Sequence, residues 1–224
     1  MKKDDVIRSA MEIADAEGLE ALSMRRLAHE LGVEAMSLYH YVKSKDELVT
    51  QMADLALSEI ELPRADDGWK AALRATSLSA RDALRRHRWA CGILMSMGPS
   101  PAQMRRMDGV LFTLERAGFS PDQVDQAYHA LESHIVGFTL WLASMPFKKE
   151  GDLERTANKY LKDFPAELYP YVLKHAHQHL APRSSGRKTE FEFGLDLILD
   201  GLERLLDEQA ARRGPAARRE RVRA

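Results

Sequence analysis

The residues whose types and spacing suggest chemistry lie in one short run, from Ser23 through Gly32 to Lys45. Two brief amphipathic segments flank Gly32, and the second leaves Ala35, Met36, Ser37, Tyr39 and His40 on its outer face. Small, thioether, hydroxyl, phenol and imidazole groups on one short helix suit thymine methyls, base edges and phosphates. No nucleophile elbow, phosphate-binding loop or complete set of metal ligands occurs along the chain, so an enzyme is not expected. His175, His177 and His179 come nearest to a metal set, with His175 and His179 one helical turn apart, but no cysteine or close acid completes it. A solvent-facing stretch is the expectation there, with no metal and no cofactor.

The elements that must position the outer residues follow from periodicity. Val6, Ile7, Ala10, Ile13 and Ala14 recur at helical spacing up to the stop at Gly18. Ser23 suits the N-cap of a second helix over 24 to 31, which buries Leu27, Ala28 and Leu31. Gly32 supplies the positive φ of a helix-ending turn, and Val33 and Leu38 face inward on and before a third helix over 35 to 41. Ser44-Lys-Asp-Glu47 reads as a capping box opening a fourth helix to about residue 60. Beyond the break from Leu62 to Gly68, helices are expected at 69 to 86, 88 to 97, 102 to 117, 121 to 144, about 167 to 180, and 189 to 209. Pro182 to Gly186 reads as flexible.

The expected fold class is therefore all-α. A three-helix helix-turn-helix domain over 1–47 is joined by a long helix to a larger helical domain over 48–209, and a basic tail over 210–224 reads as disordered. The chain has 224 residues, 45% of them hydrophobic, which is enough for a sizeable core. No apolar run approaches the ~18 residues that a membrane span needs, and no signal peptide is read. A single cysteine, Cys91, excludes an internal disulfide and suits a reducing, cytoplasmic setting. The 33 basic and 34 acidic residues nearly cancel, so any nucleic-acid contact must be local.

The stretch from Val6 to Leu48 resembles the DNA-binding domain of the tetracycline-repressor family. The resemblance lies in Ser23-Met-Arg-Arg-Leu-Ala28, Leu31-Gly-Val33 and Leu38-Tyr-His-Tyr-Val-Lys-Ser-Lys45, followed by an acid and Leu48. Trp69 to Arg88, Gly118-Phe-Ser120 and the run from Phe193 to Leu205 are similar, more faintly, to the C-terminal domain of the tetracycline repressor that gives the family its name. The resemblance implies a homodimer on a palindromic operator in double-stranded DNA, acting most simply as a repressor released by a small-molecule effector. It implies that Met24 and Arg25 join Ala35, Met36, Ser37, Tyr39 and His40 at the DNA, together with Lys45. Tyr39 and Lys45 match phosphate-holding positions, and Arg25, Ala35, Met36, Ser37 and His40 match base-facing ones.

By the same resemblance, the helices over 121 to 144 and 189 to 209 pair with their twins, the stripe Leu195, Ile198, Leu199, Leu202 and Leu205 supplying apolar contact. A methionine-rich, aromatic set, Trp89, Leu94, Met95, Met107, Phe112, Tyr128, His134, Phe138 and Trp141, is the candidate effector pocket. The positions that hold drug and Mg²⁺ in the tetracycline repressor carry Glu61, Thr76, Ala80 and Leu94, so a tetracycline–Mg complex is not the expected effector. A second reading keeps the helices without the DNA. Residues 1–60 hold seven basic and twelve acidic side chains, net −5, which also fits a helical protein-interaction module with a degenerate helix-turn-helix.

Overall fold

The computed structural model describes residues 1–94, 96, 98–144, 155, 159, 161–162, 164–180 and 188–213. Their regular elements are helical: α1 (Lys3–Glu17), a 3-10 turn (Leu19–Ala21), α2 (Met24–Glu30), α3 (Ala35–Leu38), α4 (Lys45–Ser58), α5 (Trp69–Arg86), α6 (Ala90–Leu94), α7 (Pro101–Arg116), α8 (Pro121–Ser144), α9 (Pro170–Leu180) and α10 (Glu190–Arg213). No helix among the described residues is long and apolar enough to cross a membrane. The chain forms two compact units, one of residues 1–143 and 190–224, the other of residues 144–189.

In the first unit, α1 buries Val6, Ile7, Ala10, Ile13 and Ala14, the residues its periodicity selects. They meet Leu22, Leu27, Leu38, Val42, Leu48 and Met52 in one core. Burying a leucine such as Leu27 or Leu38 stabilises by about 1.5–3 kcal/mol, and these side chains hold three short helices that have little stability alone. The α4 start differs from the expected capping box by one residue. Ser44 Oγ accepts from the Glu47 N–H at 3.1 Å, but Glu47 reaches back to the N–H of Lys43 at 2.7 Å, one position before the cap.

The remaining helices of this unit pack around buried small and branched residues: Ala72, Leu73, Ala80, Ala83 and Leu84 on α5, Val110 and Leu114 on α7, and Leu131 and Ile135 on α8. Among them lies an ion pair. Arg106 on α7 donates from Nη1 to Glu132 Oε1 at 2.7 Å and from Nη2 to Glu132 Oε2 at 2.5 Å, with the arginine 6% exposed. The bidentate geometry offsets the cost of withdrawing both charges from water.

Three expectations need correcting. α3 stops at Leu38 rather than 41, because Tyr39, His40 and Tyr41 donate to carbonyls three residues back and form tight turns. α10 continues to Arg213, so the first residues assigned to a tail are helical; 214–224 and the stretch 182–186 lie outside the described residues. The stripe assigned to dimerisation is largely internal: Leu195, Leu199 and Leu202 are buried within the chain, Ile198 is half-buried, and only Leu205 is exposed. The outward apolar residues of α10 are instead Phe193 at 61% and Leu197 at 56%, with Leu205.

In the second unit, α9 is the regular element, and Tyr171, Val172, His175 and His177 on it are exposed. The side chain of His179 lies outside what is described. Among the described residues no group of three metal-ligating side chains comes together.

Removing one member of the buried ion pair tests its weight. Glu132→Ala leaves the Arg106 guanidinium buried and unpaired, and should lower unfolding free energy by about 3–5 kcal/mol in denaturant titration. Replacing both members by methionine should recover most of that loss.

Candidate nucleic-acid interface

The interface is built from the α2–turn–α3 unit. Ser23 caps α2 by accepting from the Arg26 N–H at 3.2 Å. At the other end Gly32 adopts φ +65°, while its N–H donates to His29 O at 3.2 Å and that of Val33 to Ala28 O at 3.0 Å. A Cβ at Gly32 would meet nothing within 4 Å, so the demand for glycine comes from the backbone angle and not from crowding. Leu38, fully buried, then anchors α3 and turns its opposite side outward.

Met36 is 74% exposed and Tyr39 44%, and both are large groups that a folded monomer would otherwise cover. Arg25, His40 and Lys45 are exposed, and Met24, Ala35 and Ser37 are half-buried. All eight nominated residues therefore sit on α2's first turn, α3 and its following turn, or the start of α4. Tyr41, which was not nominated, donates its hydroxyl to Met1 O at 3.2 Å and ties the chain's first residues to the turn after α3.

Charge is distributed with the same logic. Arg26 is held by Glu17 at 3.0 Å and Glu30 at 3.9 Å. Arg25, Lys43 and Lys45 form no ion pair with another described residue, which leaves them for a ligand. Lys43 lies in the same run, two residues before Lys45, and adds a third exposed cation.

A second cluster joins this head to the helices behind it. His87, 6% exposed at the end of α5, has Nδ1 2.9 Å from Asp15 Oδ1 on α1 and Nε2 3.2 Å from Glu59 Oε2 after α4. The Trp89 indole N–H donates to the same Asp15 oxygen at 2.6 Å, and Arg86 Nη2 donates to Glu59 at 2.7 Å. Burial alone would raise the Glu59 pKa, but hydrogen bonds from Arg86 and His87 outweigh it and hold the carboxyl below its ordinary value of 4.5. No periodicity or motif signals this cluster, whose members are up to 74 residues apart.

The nominated effector residues scatter. Trp89 and Leu94 are half-buried and Met95 lies outside the described residues. Tyr128 is buried, and burial raises the pKa of its phenol. His134 stacks on Phe191 at 4.7 Å and pairs its Nε2 with Phe191 O at 2.9 Å; Phe138 meets Phe191 at 5.2 Å and Trp141 at 5.9 Å. Met107, Phe112 and Trp141 are exposed. Only Phe112 of the set lines the described cavity of about 530 Å³, between the residues before α5, α7 and α10.

A helix-turn-helix with an exposed, uncommitted reading face is matched by two family profiles. Residues 6–52 match bacterial regulatory proteins of the tetR family, and residues 62–206 match the tetracyclin repressor-like C-terminal domain. The chain belongs to the TetR family. It is thus a DNA-binding transcriptional regulator. Among curated relatives, the transcriptional repressor DrrR1 of Streptomyces coeruleorubidus is 35% identical over 96% of this chain and 80% of its own. The class C tetracycline repressor protein of Escherichia coli is 32% identical over 92% of each. Among solved structures, Streptomyces coelicolor ActR in complex with actinorhodin superposes with a TM-score of 0.70 at 31% identity, covering 90% of this chain and 95% of that one. Mycobacterium smegmatis BioQ with its double-stranded DNA operator gives 0.62 at 25% identity, covering 90% and 98%.

The joint of this TetR-family chain predicts an acid response. Because the folded-state pKa of Glu59 is depressed, its contribution to stability is complete above pH 4.5 and is lost as pH falls through the lower folded value. Glu59→Gln should be less stable near neutrality and should show a shallower loss of stability below pH 4.5 than the parent in denaturant titrations.

Proposed function

We propose that the chain is a cytoplasmic repressor that binds a palindromic operator as a homodimer and leaves it when a small molecule occupies the C-terminal domain. The observation that carries the reading is the exposed ridge from Met36 to His40, raised by the Gly32 turn and flanked by the uncommitted Arg25, Lys43 and Lys45. Tyr39 and Lys45 hold phosphates and set register, while Arg25, Ala35, Met36, Ser37 and His40 face bases, with Met24 at the edge of the contact. ActR bound to actinorhodin and BioQ bound to its operator support the two halves of the cycle.

Dimerisation uses the outward side of α10. Phe193, Leu197 and Leu205 form an apolar surface of a kind that a monomer seldom leaves to water. A two-fold pair then presents two α3 ridges to successive half-sites. Leu197→Glu should give monomers in sedimentation velocity and weaken operator binding by roughly a hundredfold, through loss of the second half-site.

The effector works by population shift. α4 follows directly from the DNA-reading head, and Ile60, two residues past its end, is buried in the core that the C-terminal helices share. A ligand that prefers one arrangement of those helices releases DNA only by its differential affinity. Glu61, Thr76, Ala80 and Leu94, at positions where a tetracycline–Mg complex is held in the tetracycline repressor, do not reproduce its polar and metal-ligating groups, which supports a different effector.

A mobility-shift titration against the chain's own promoter region tests the reading. Salt-sensitive binding with a preferred sequence is expected. Tyr39→Ala and Lys45→Ala should weaken binding to all sequences alike, whereas substitutions at Ser37 and His40 should change which sequence is preferred, each by about 1–3 kcal/mol per base pair. The absence of a salt-sensitive, sequence-preferring complex would favour the protein-interaction module instead.

A further inference from the structure

We propose that the residues ahead of α1 form a further DNA contact, in which the Lys2 ammonium holds a backbone phosphate beside those met by Tyr39 and Lys45. This contact rests on the repressor reading above. Lys2 is exposed, and its ammonium forms no ion pair with another described residue.

The start of the chain is sewn to the DNA-reading turn. From the turn after α3, the Tyr41 hydroxyl donates to Met1 O at 3.2 Å. The Lys2 N–H donates to Asp5 Oδ2 at 2.6 Å, and Lys2 O accepts from the N–H groups of Asp5 and Val6 at 3.2 and 3.4 Å. Lys3 Nζ lies 4.0 Å from Glu47 Oε1 in the first turn of α4, and the other oxygen of that carboxylate accepts from the Lys43 N–H at 2.7 Å. The Lys2 backbone is therefore fixed between a neighbour pinned to Tyr41 and a neighbour held at α4. A cation carried on a fixed backbone loses less freedom on binding than one carried on a free end.

Placement keeps the neighbouring acids from cancelling this cation. The Asp5 carboxylate is turned onto the Lys2 N–H, and Glu47 serves the Lys43 N–H, the Gln51 amide at 2.7 Å and Lys3. Lys3 shares a side of α1 with the buried Ile7, one turn on, whereas Asp4 stands about 100° round the helix from Lys3. Asp46 lies with Lys45 along a cleft that Ile93 of α6 and Ser96 also line. Lys2 is left as a fourth cation beside Arg25, Lys43 and Lys45. On a phosphate it fixes register without reading sequence, and Tyr41 is its positioning residue.

Fluorescence anisotropy of two labelled duplexes, one from the chain's own promoter region and one of sheared calf-thymus DNA, titrated with the full chain over a range of KCl concentrations, tests the contact. Lys2→Gln should weaken both complexes alike, about tenfold or more at about 0.1 M salt, and should lower the slope of log affinity against log salt by about 0.9 for each protomer bound. Lys174→Gln, on the exposed face of α9, should leave that slope unchanged. Tyr41→Phe keeps the ring and removes the tether. It should weaken binding about threefold or more in the parent and not at all in the Lys2→Gln background. The contact is overturned by a Lys2→Gln chain whose slope and affinity match the parent's, or by a loss confined to the promoter duplex, which would make Lys2 a reader of bases. A Tyr41→Phe loss that persists in the Lys2→Gln background overturns the tether. Parental binding to the promoter duplex keeps the repressor reading standing in each of these cases, whereas a parent that binds neither duplex sinks that reading and the contact together.

Discussion

The imidazole of His87, buried between Asp15 and Glu59, is the contact on which the relation between the DNA-reading head and the C-terminal helices depends. It gathers α1, the end of α4 and the end of α5 at one point. Two half-exposed carboxylates brought onto one buried imidazole repel each other, and the surrounding donors, Trp89 on Asp15 and Arg86 on Glu59, make the arrangement tenable. Earlier on α4, Asp54 Oδ1 accepts from the Ala102 N–H at 2.8 Å and so satisfies one donor in the first turn of α7. α4 is therefore tied to the C-terminal helices on two sides while its first turn leads out of the reading head. Its position cannot change without changing the presentation of α3.

This architecture explains why the reading head was legible in the sequence and the joint was not. Ser23, Gly32 and Leu38 act on neighbours within a few residues, so cap, turn and anchor are written in local order. The joint links residues that lie 28 and 72 positions apart, and no local pattern encodes such a meeting. A histidine, an aspartate and a glutamate in three separate helices each look like ordinary surface residues.

Apolar residues posed a different difficulty. Periodicity along α10 correctly marks an amphipathic helix, yet it does not say which neighbour covers the stripe. Leu195, Leu199 and Leu202 are satisfied within the chain, and the residues left for a second copy, Phe193 and Leu197, fall outside the stripe because glutamate and aspartate neighbours interrupt them. Of the nominated effector residues, His134, Phe138 and Trp141 come together while Phe112 lies apart, for a related reason. Residue type selected Phe112 and Phe138 alike, but one stands exposed at a cavity and the other joins the aromatic packing around Phe191. Trp69, which shares that cavity, reads in the sequence only as the first residue of a helix.

The same separation of composition from placement resolves the head's charge. A sum of −5 over residues 1–60 suggests repulsion from a polyanion. Half of the acids, however, are engaged. Asp15, Asp54 and Glu59 are turned toward the C-terminal helices, Glu17 and Glu30 hold Arg26, and Glu47 holds the Lys43 N–H and lies 4.0 Å from Lys3. Beside the α3 ridge lie the cations Arg25, Lys43 and Lys45 together with the exposed acids Glu34 and Asp46. Coulomb attraction at contact distance exceeds that of charges beyond the ~8 Å screening length, so phosphates met at the ridge respond to these three cations more than to the distant carboxylates.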